Sequence, residues 1–82
     1  MEDKIEERLK KKYNYCKIAV KYEDLRKYSI DVTIMVGDFQ FKKTLYHTWD
    51  AYFTFDVNVG AIENMIDNFI LKIYRKGSKY YD

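Results

Sequence analysis

From Tyr15 to His47 the chain alternates apolar and polar side chains with a period of two, the mark of half-buried strands. Cys16, Ile18, Val20 and Tyr22 alternate with Lys17, Ala19 and Lys21, which predicts a first strand over Tyr15–Tyr22. The stretch 23–27 is polar and reads as a connection. In Tyr28–Val36 the alternation resumes, with Tyr28, Ile30, Val32, Ile34 and Val36 set against Ser29, Asp31, Thr33 and Met35. Gly37-Asp38 then predicts a two-residue hairpin turn, the glycine supplying a positive φ. A third strand, Phe39–His47, places Phe39, Phe41, Leu45 and His47 on one face.

The same pattern fixes the pairing. A turn at 37–38 sets Val36 opposite Phe39, and hence Ile34 opposite Phe41, Ile30 opposite Leu45 and Tyr28 opposite His47. A hairpin closed around 23–27 sets Tyr22 opposite Tyr28, Val20 opposite Ile30 and Ile18 opposite Val32. Apolar meets apolar on one face throughout, and a slip of one residue would turn every one of these side chains outward. Lys43, opposite Val32, is the one misfit.

Helical spacing brackets the strands. Ile5, Leu9 and Tyr13 make a narrow stripe in a helix over about Glu2 to Lys12, with acids early and bases late as the helix dipole prefers. Ile62, Met65, Ile66, Phe69 and Ile73 mark a final helix. For it, Asn58 is the expected N-cap, Val57 a staple onto Ile62, and Gly77 the stop before a short tail, Ser78–Asp82. Ala51, Phe53 and Phe55 alternate with Tyr52 and Thr54, so a short fourth strand is admitted after a turn at Thr48-Trp49-Asp50. The expected fold is α+β: an antiparallel three- to four-stranded meander with an N-terminal and a C-terminal helix packed on one face, in the order α-β-β-β-(β)-α.

Composition narrows the function. The 82 residues make one domain, 1–82, and 48% hydrophobic content with 18% aromatic content supplies a core. No apolar run reaches a membrane span and no secretory signal opens the chain, so the expectation is a cytoplasmic protein away from membranes. Cys16 is the only cysteine, which accords with a reducing compartment. Fifteen Lys and Arg against thirteen Asp and Glu leave a net charge of only +2. The bases gather at the ends (Lys10–Lys12; Lys72, Arg75, Lys76, Lys79), while Asp50, Asp56, Glu63 and Asp67 run without a Lys or Arg.

Catalytic chemistry has little to work with. His47 and Cys16 are the only residues of their kinds and both fall on the core face, so neither a Cys/His metal set nor a nucleophile–base pair is expected. Gly37, Gly60 and Gly77 are isolated and form no phosphate loop, and Asp50 and Asp56 read as turn acids. No enzyme activity, cofactor or metal is expected. Chemistry is concentrated instead on the sheet's second face, where Tyr15, Lys17, Lys21, Lys42 and Tyr46 stand among small polar residues, with Tyr52 a candidate to join them. Nine tyrosines offer large contact area with polar tips at low entropic cost. The expected binding residues are therefore Tyr15, Lys17, Lys21, Lys42, Tyr46, Trp49, Asp50 and Tyr52, with the acidic stretch 50–67 a second candidate surface. A protein partner is the favoured expectation, nucleic acid the alternative with Tyr15 and Tyr46 stacking bases, and a homodimer through a strand edge or the aromatic loop Tyr46–Phe55 the third.

The order α-β-β-β-α resembles that of the double-stranded-RNA-binding domain. That family grips phosphates with a lysine-rich start to its last helix, whereas this chain reads Asn58-Val59-Gly60-Ala61-Ile62-Glu63-Asn64 there. The resemblance is one of topology and does not carry RNA binding with it. In size, lack of catalytic residues and A/T-rich-type residue usage (abundant Lys, Ile, Tyr and Asp, no Pro), the chain is similar in type to small phage-encoded inhibitors of bacterial defence, anti-CRISPR proteins among them. That likeness implies a non-catalytic inhibitor that occupies a surface of a larger host protein.

Overall fold

The computed structural model describes residues 1–81, with side chains described as far as Arg75. Its order is α1 (Glu2–Lys12), β1 (Cys16–Tyr22), β2 (Lys27–Val36), β3 (Phe39–Thr48) and α2 (Phe55–Tyr81). The strands form one antiparallel sheet, β1-β2-β3, and the register is the one the alternation demands: Ile18 faces Val32, Val20 faces Ile30, Ile34 faces Phe41 and Ile30 faces Leu45. Ile18, Ile30, Val32, Ile34 and Leu45 on one face bury against Ile5 and Leu9 of α1 and Val59, Ile62, Ile66, Phe69, Ile70 and Ile73 of α2. Each layer thus hides its apolar stripe in the others. Lys43 stays exposed, so the position that broke the pattern is one the helices leave open.

The two hairpins turn by different devices. Gly37 takes φ +61° between the paired Val36 and Phe39, and it is the only one of the two turn residues with positive φ. Leu25 (φ 46°) and Arg26 (φ 65°) both lie in the left-handed region, within a turn closed by Lys27 N–H donating to the Asp24 carbonyl at 2.7 Å. A primed turn of this kind normally takes Asn-Gly. Tertiary contacts hold it here: Arg26 N–H donates to the Tyr22 hydroxyl at 3.2 Å, and the Arg26 carbonyl accepts Trp49 N–H at 2.7 Å.

The helices run side by side in the same direction, joined by a ladder of polar contacts. Arg8 meets Asp56 at 2.8 Å, Lys12 meets Glu63 at 3.5 Å, and the Tyr13 hydroxyl donates to Asp67 at 2.6 Å. Residue numbers rise together along both helices, as parallel axes require.

Three expectations about the C-terminal half are corrected. No fourth strand forms at 48–55, because the chain makes a tight turn there and α2 begins at Phe55, whose ring packs on Trp49. Thr54 is the N-cap, its Oγ1 accepting Val57 N–H at 3.2 Å, so Asn58 lies inside the first turn and half-exposed Val57 staples nothing. Gly77 does not end α2, which continues to Tyr81 through the expected tail; one glycine costs a helix about 1 kcal/mol, too little to stop it. The side chains of Lys76 and Lys79 lie outside the described residues.

Candidate interaction surfaces

With both helices on the apolar face, the opposite face of the sheet is open. Register lays its side chains out in rows across the strands: Lys17, Thr33 and Lys42; then Ala19, Asp31 and Thr44; then Lys21, Ser29 and Tyr46. Four of the expected binding residues, Lys17, Lys21, Lys42 and Tyr46, therefore share one exposed surface. Its middle is built of short side chains tied by internal bonds. Thr44 Oγ1 donates to Asp31 at 2.6 Å, and buried Ser29 donates to Glu23 at 2.9 Å. Lys27 Nζ stands 5.0 Å from the Tyr46 ring centre, a cation–π contact that steadies the ring.

Tyr15 does not join this surface: β1 begins at Cys16, and Tyr15 stands on the helix side near Tyr13, Asp67 and Tyr74, which corrects its expected place on the open face. It lies in the α1–β1 connection, packed edge-on against Tyr13 at 6.5 Å between ring centres. Partial burial pushes its phenol up, with Cys16, Tyr74 and Asp67 adding to the effect.

Trp49, Asp50 and Tyr52 lie elsewhere. Trp49 is half-buried at the centre of an aromatic cluster, 5.8 Å from Tyr28, 6.2 Å from His47 and 5.8 Å from Phe55. It extends the core and is not an anchor on the open face. Asp50 is a turn residue whose carboxylate accepts Tyr52 N–H at 2.9 Å. Tyr52 stands 96% exposed on the β3–α2 loop, beside exposed Phe53. The acidic stretch is not a free surface either, since Asp56, Glu63 and Asp67 face the bases and the phenol of α1.

One polar group organises that loop, and its role was hidden in the sequence. Asn58 is 2% exposed. Its Oδ1 accepts Asp50 N–H at 2.9 Å and lies 3.0 Å from His47 Nε2, which places the imidazole proton on Nε2. Its Nδ2 donates to the carbonyls of Asp50 and Thr54 at 3.0 Å, with that of Phe53 at 3.4 Å. His47 thus has a structural partner. Cys16 is partly buried, which pushes its thiol up and away from the reactive thiolate.

Sequence reasoning also missed Leu25, 85% exposed at the tip of the strained turn. Its one signal was a leucine inside a polar connection. Among the described residues no three His, Cys, Asp or Glu side chains cluster to hold a metal, and no helix is long and apolar enough to cross a membrane. The surface depressions are shallow; the one on the open face is lined by Asp31, Thr33, Lys42 and Thr44, with Val32 and Lys43. Compared with protein-family models, curated proteins and solved structures, the chain matches none.

Proposed function

We propose that this protein is a small non-catalytic binding module that acts by occupying a surface of another protein, with the open face of the sheet as its contact. The observation that carries the reading is the row pattern: Lys17, Lys21, Lys42 and Tyr46 share one uncovered face of a sheet whose strands are paired along their length. Aromatic and cationic side chains around short ones suit a protein interface. Asp31 favours protein over nucleic acid, because an exposed carboxylate at the centre of the face repels a phosphate track. An inhibitor of a host defence protein, encoded by a phage or mobile element and working in the cytoplasm, is the role we assign.

The test is affinity capture with the wild-type chain and a Lys17→Glu/Tyr46→Ala variant. The expected result is a stoichiometric protein partner that the variant loses. Nucleic acid copurifying with the wild type, and released by added salt, would favour the alternative instead. Equal capture by both chains would remove the open face from consideration.

A further inference from the structure

The two edges of the sheet are treated differently. Glu23 N–H donates to the Lys27 carbonyl, so odd-numbered residues of β1 bond to β2 and even-numbered ones point their backbone groups outward. At that edge Val20 N–H is taken by the Glu6 carboxylate at 3.0 Å, and α1 lies alongside. The same alternation carried across β2 leaves the even positions of β3 pointing outward: Gln40, Lys42, Thr44 and Tyr46. Trp49 N–H donating inward to Arg26 keeps that parity. Among the described residues no group bonds the outward backbone of β3, and every side chain of 39–44 but Phe41 is exposed.

A bare ten-residue edge is a template for another strand. Its charge decides which strand. Lys42 and Lys43 project from opposite faces of the same edge, so they border an added strand on both sides. A second copy pairing antiparallel about this point would set lysines against lysines, which disfavours it. We propose that the β3 edge takes up an extended acidic segment of a partner protein as a fourth strand, with backbone pairing at Gln40, Lys42 and Thr44 and carboxylates flanked by Lys42 and Lys43. Exposed Phe39 at the start of the strand offers an apolar side chain a neighbour. The proposal rests on the reading of this chain as a protein-binding module and names the chemistry of the partner.

The probe is a ten-residue peptide alternating Glu with Val and Thr, and its control carries Lys for Glu. In a labelled sample of the full chain, the acidic peptide should slow amide exchange at Gln40, Lys42 and Thr44, while the basic one leaves them unchanged. A Lys42→Glu/Lys43→Glu variant should bind the acidic peptide about tenfold less tightly and accept the basic one. Lys43 projects on the helix side of the sheet, so Lys43→Glu alone separates the edge from the open face. If affinity instead follows Lys17→Glu/Lys21→Glu and ignores Lys43→Glu, the edge proposal falls while the open-face reading stands. Protection confined to other amides, no binding of the acidic peptide, or dimerisation through β3 would each overturn it.

Discussion

Replacing Asn58 by alanine tests whether one buried amide holds the β3–α2 loop. The substitution removes the acceptor for Asp50 N–H and His47 Nε2–H, and the donor to the carbonyls of Asp50 and Thr54. Among the described residues no buried side-chain polar atom is unpartnered, so the change creates a defect where none exists. Each orphaned buried group costs about 1–3 kcal/mol, reduced where water can reach it at the loop surface. The Asp50 and Thr54 carbonyls keep backbone partners in Phe53 N–H and residue 58 N–H, so Asp50 N–H and His47 Nε2–H are the two groups most dependent on Asn58, which gives a total of about 2–4 kcal/mol. Small domains hold roughly 5–15 kcal/mol in all, so the loss is large. With a urea slope of about 1 kcal/mol/M, the unfolding midpoint should drop by about 2–4 M. Trp49, the only tryptophan, sits beside the loop and reports unfolding by fluorescence. Asn58→Asp should be as damaging, because it aims a carboxylate oxygen at the carbonyls that the amide now satisfies. A loss below about 0.5 kcal/mol for Asn58→Ala, the size of an ordinary surface change, would refute the reasoning.

Other outcomes follow from single residues. Gly60 lies inside α2 with nothing within 4 Å of an added Cβ, so Gly60→Ala should stabilise by about 0.5–1 kcal/mol in urea titration. Leu25→Asn with Arg26→Gly should relieve the left-handed backbone and raise stability by about 1 kcal/mol, read as a higher thermal midpoint; a lower midpoint would mean that the turn is not strained. Burial and the bond to Asp67 raise the Tyr13 phenol far above its usual 10.0, so the fold favours the protonated form. That stability is complete below pH 10 and falls as pH climbs above it, by up to about 1.4 kcal/mol per pH unit. Tyr13→Phe should cost about 1–2 kcal/mol at neutral pH and flatten that alkaline limb in unfolding curves taken from pH 9 to 12.

The strands were legible because burial on one face leaves a period-two record that only one register satisfies. Both hairpins follow from it, while the stripe of α1 and the buried residues of α2 were read from helical spacing. Period two also misled, since Ala51, Phe53 and Phe55 alternate by accident: Phe53 is exposed and Phe55 packs from a helix. Asn58 misled for a chemical reason, because the same amide that suits an N-cap also suits a buried hub, and the choice depends on where Thr54 starts the helix. The acids of α2 looked like a surface because sequence order hides that Arg8, Lys12 and Tyr13 lie beside them. For the open face, strand parity alone collected Lys17, Lys21, Lys42 and Tyr46. Trp49 was out of reach, since its setting depends on β2, β3 and α2 meeting.

The ladder between the helices has a consequence for how the chain is made. Its contacts join residues 48 to 54 positions apart, so α1 emerges from the ribosome long before its partners exist. Until α2 is synthesised, Ile5 and Leu9 lack the part of the core that α2 supplies. Folding therefore waits for nearly the whole chain, and closure over such distances should make it slower than a helical bundle of equal length. A nascent chain arrested before residue 55 should remain unfolded and open to proteolysis, and release past α2 should protect α1 and the sheet together.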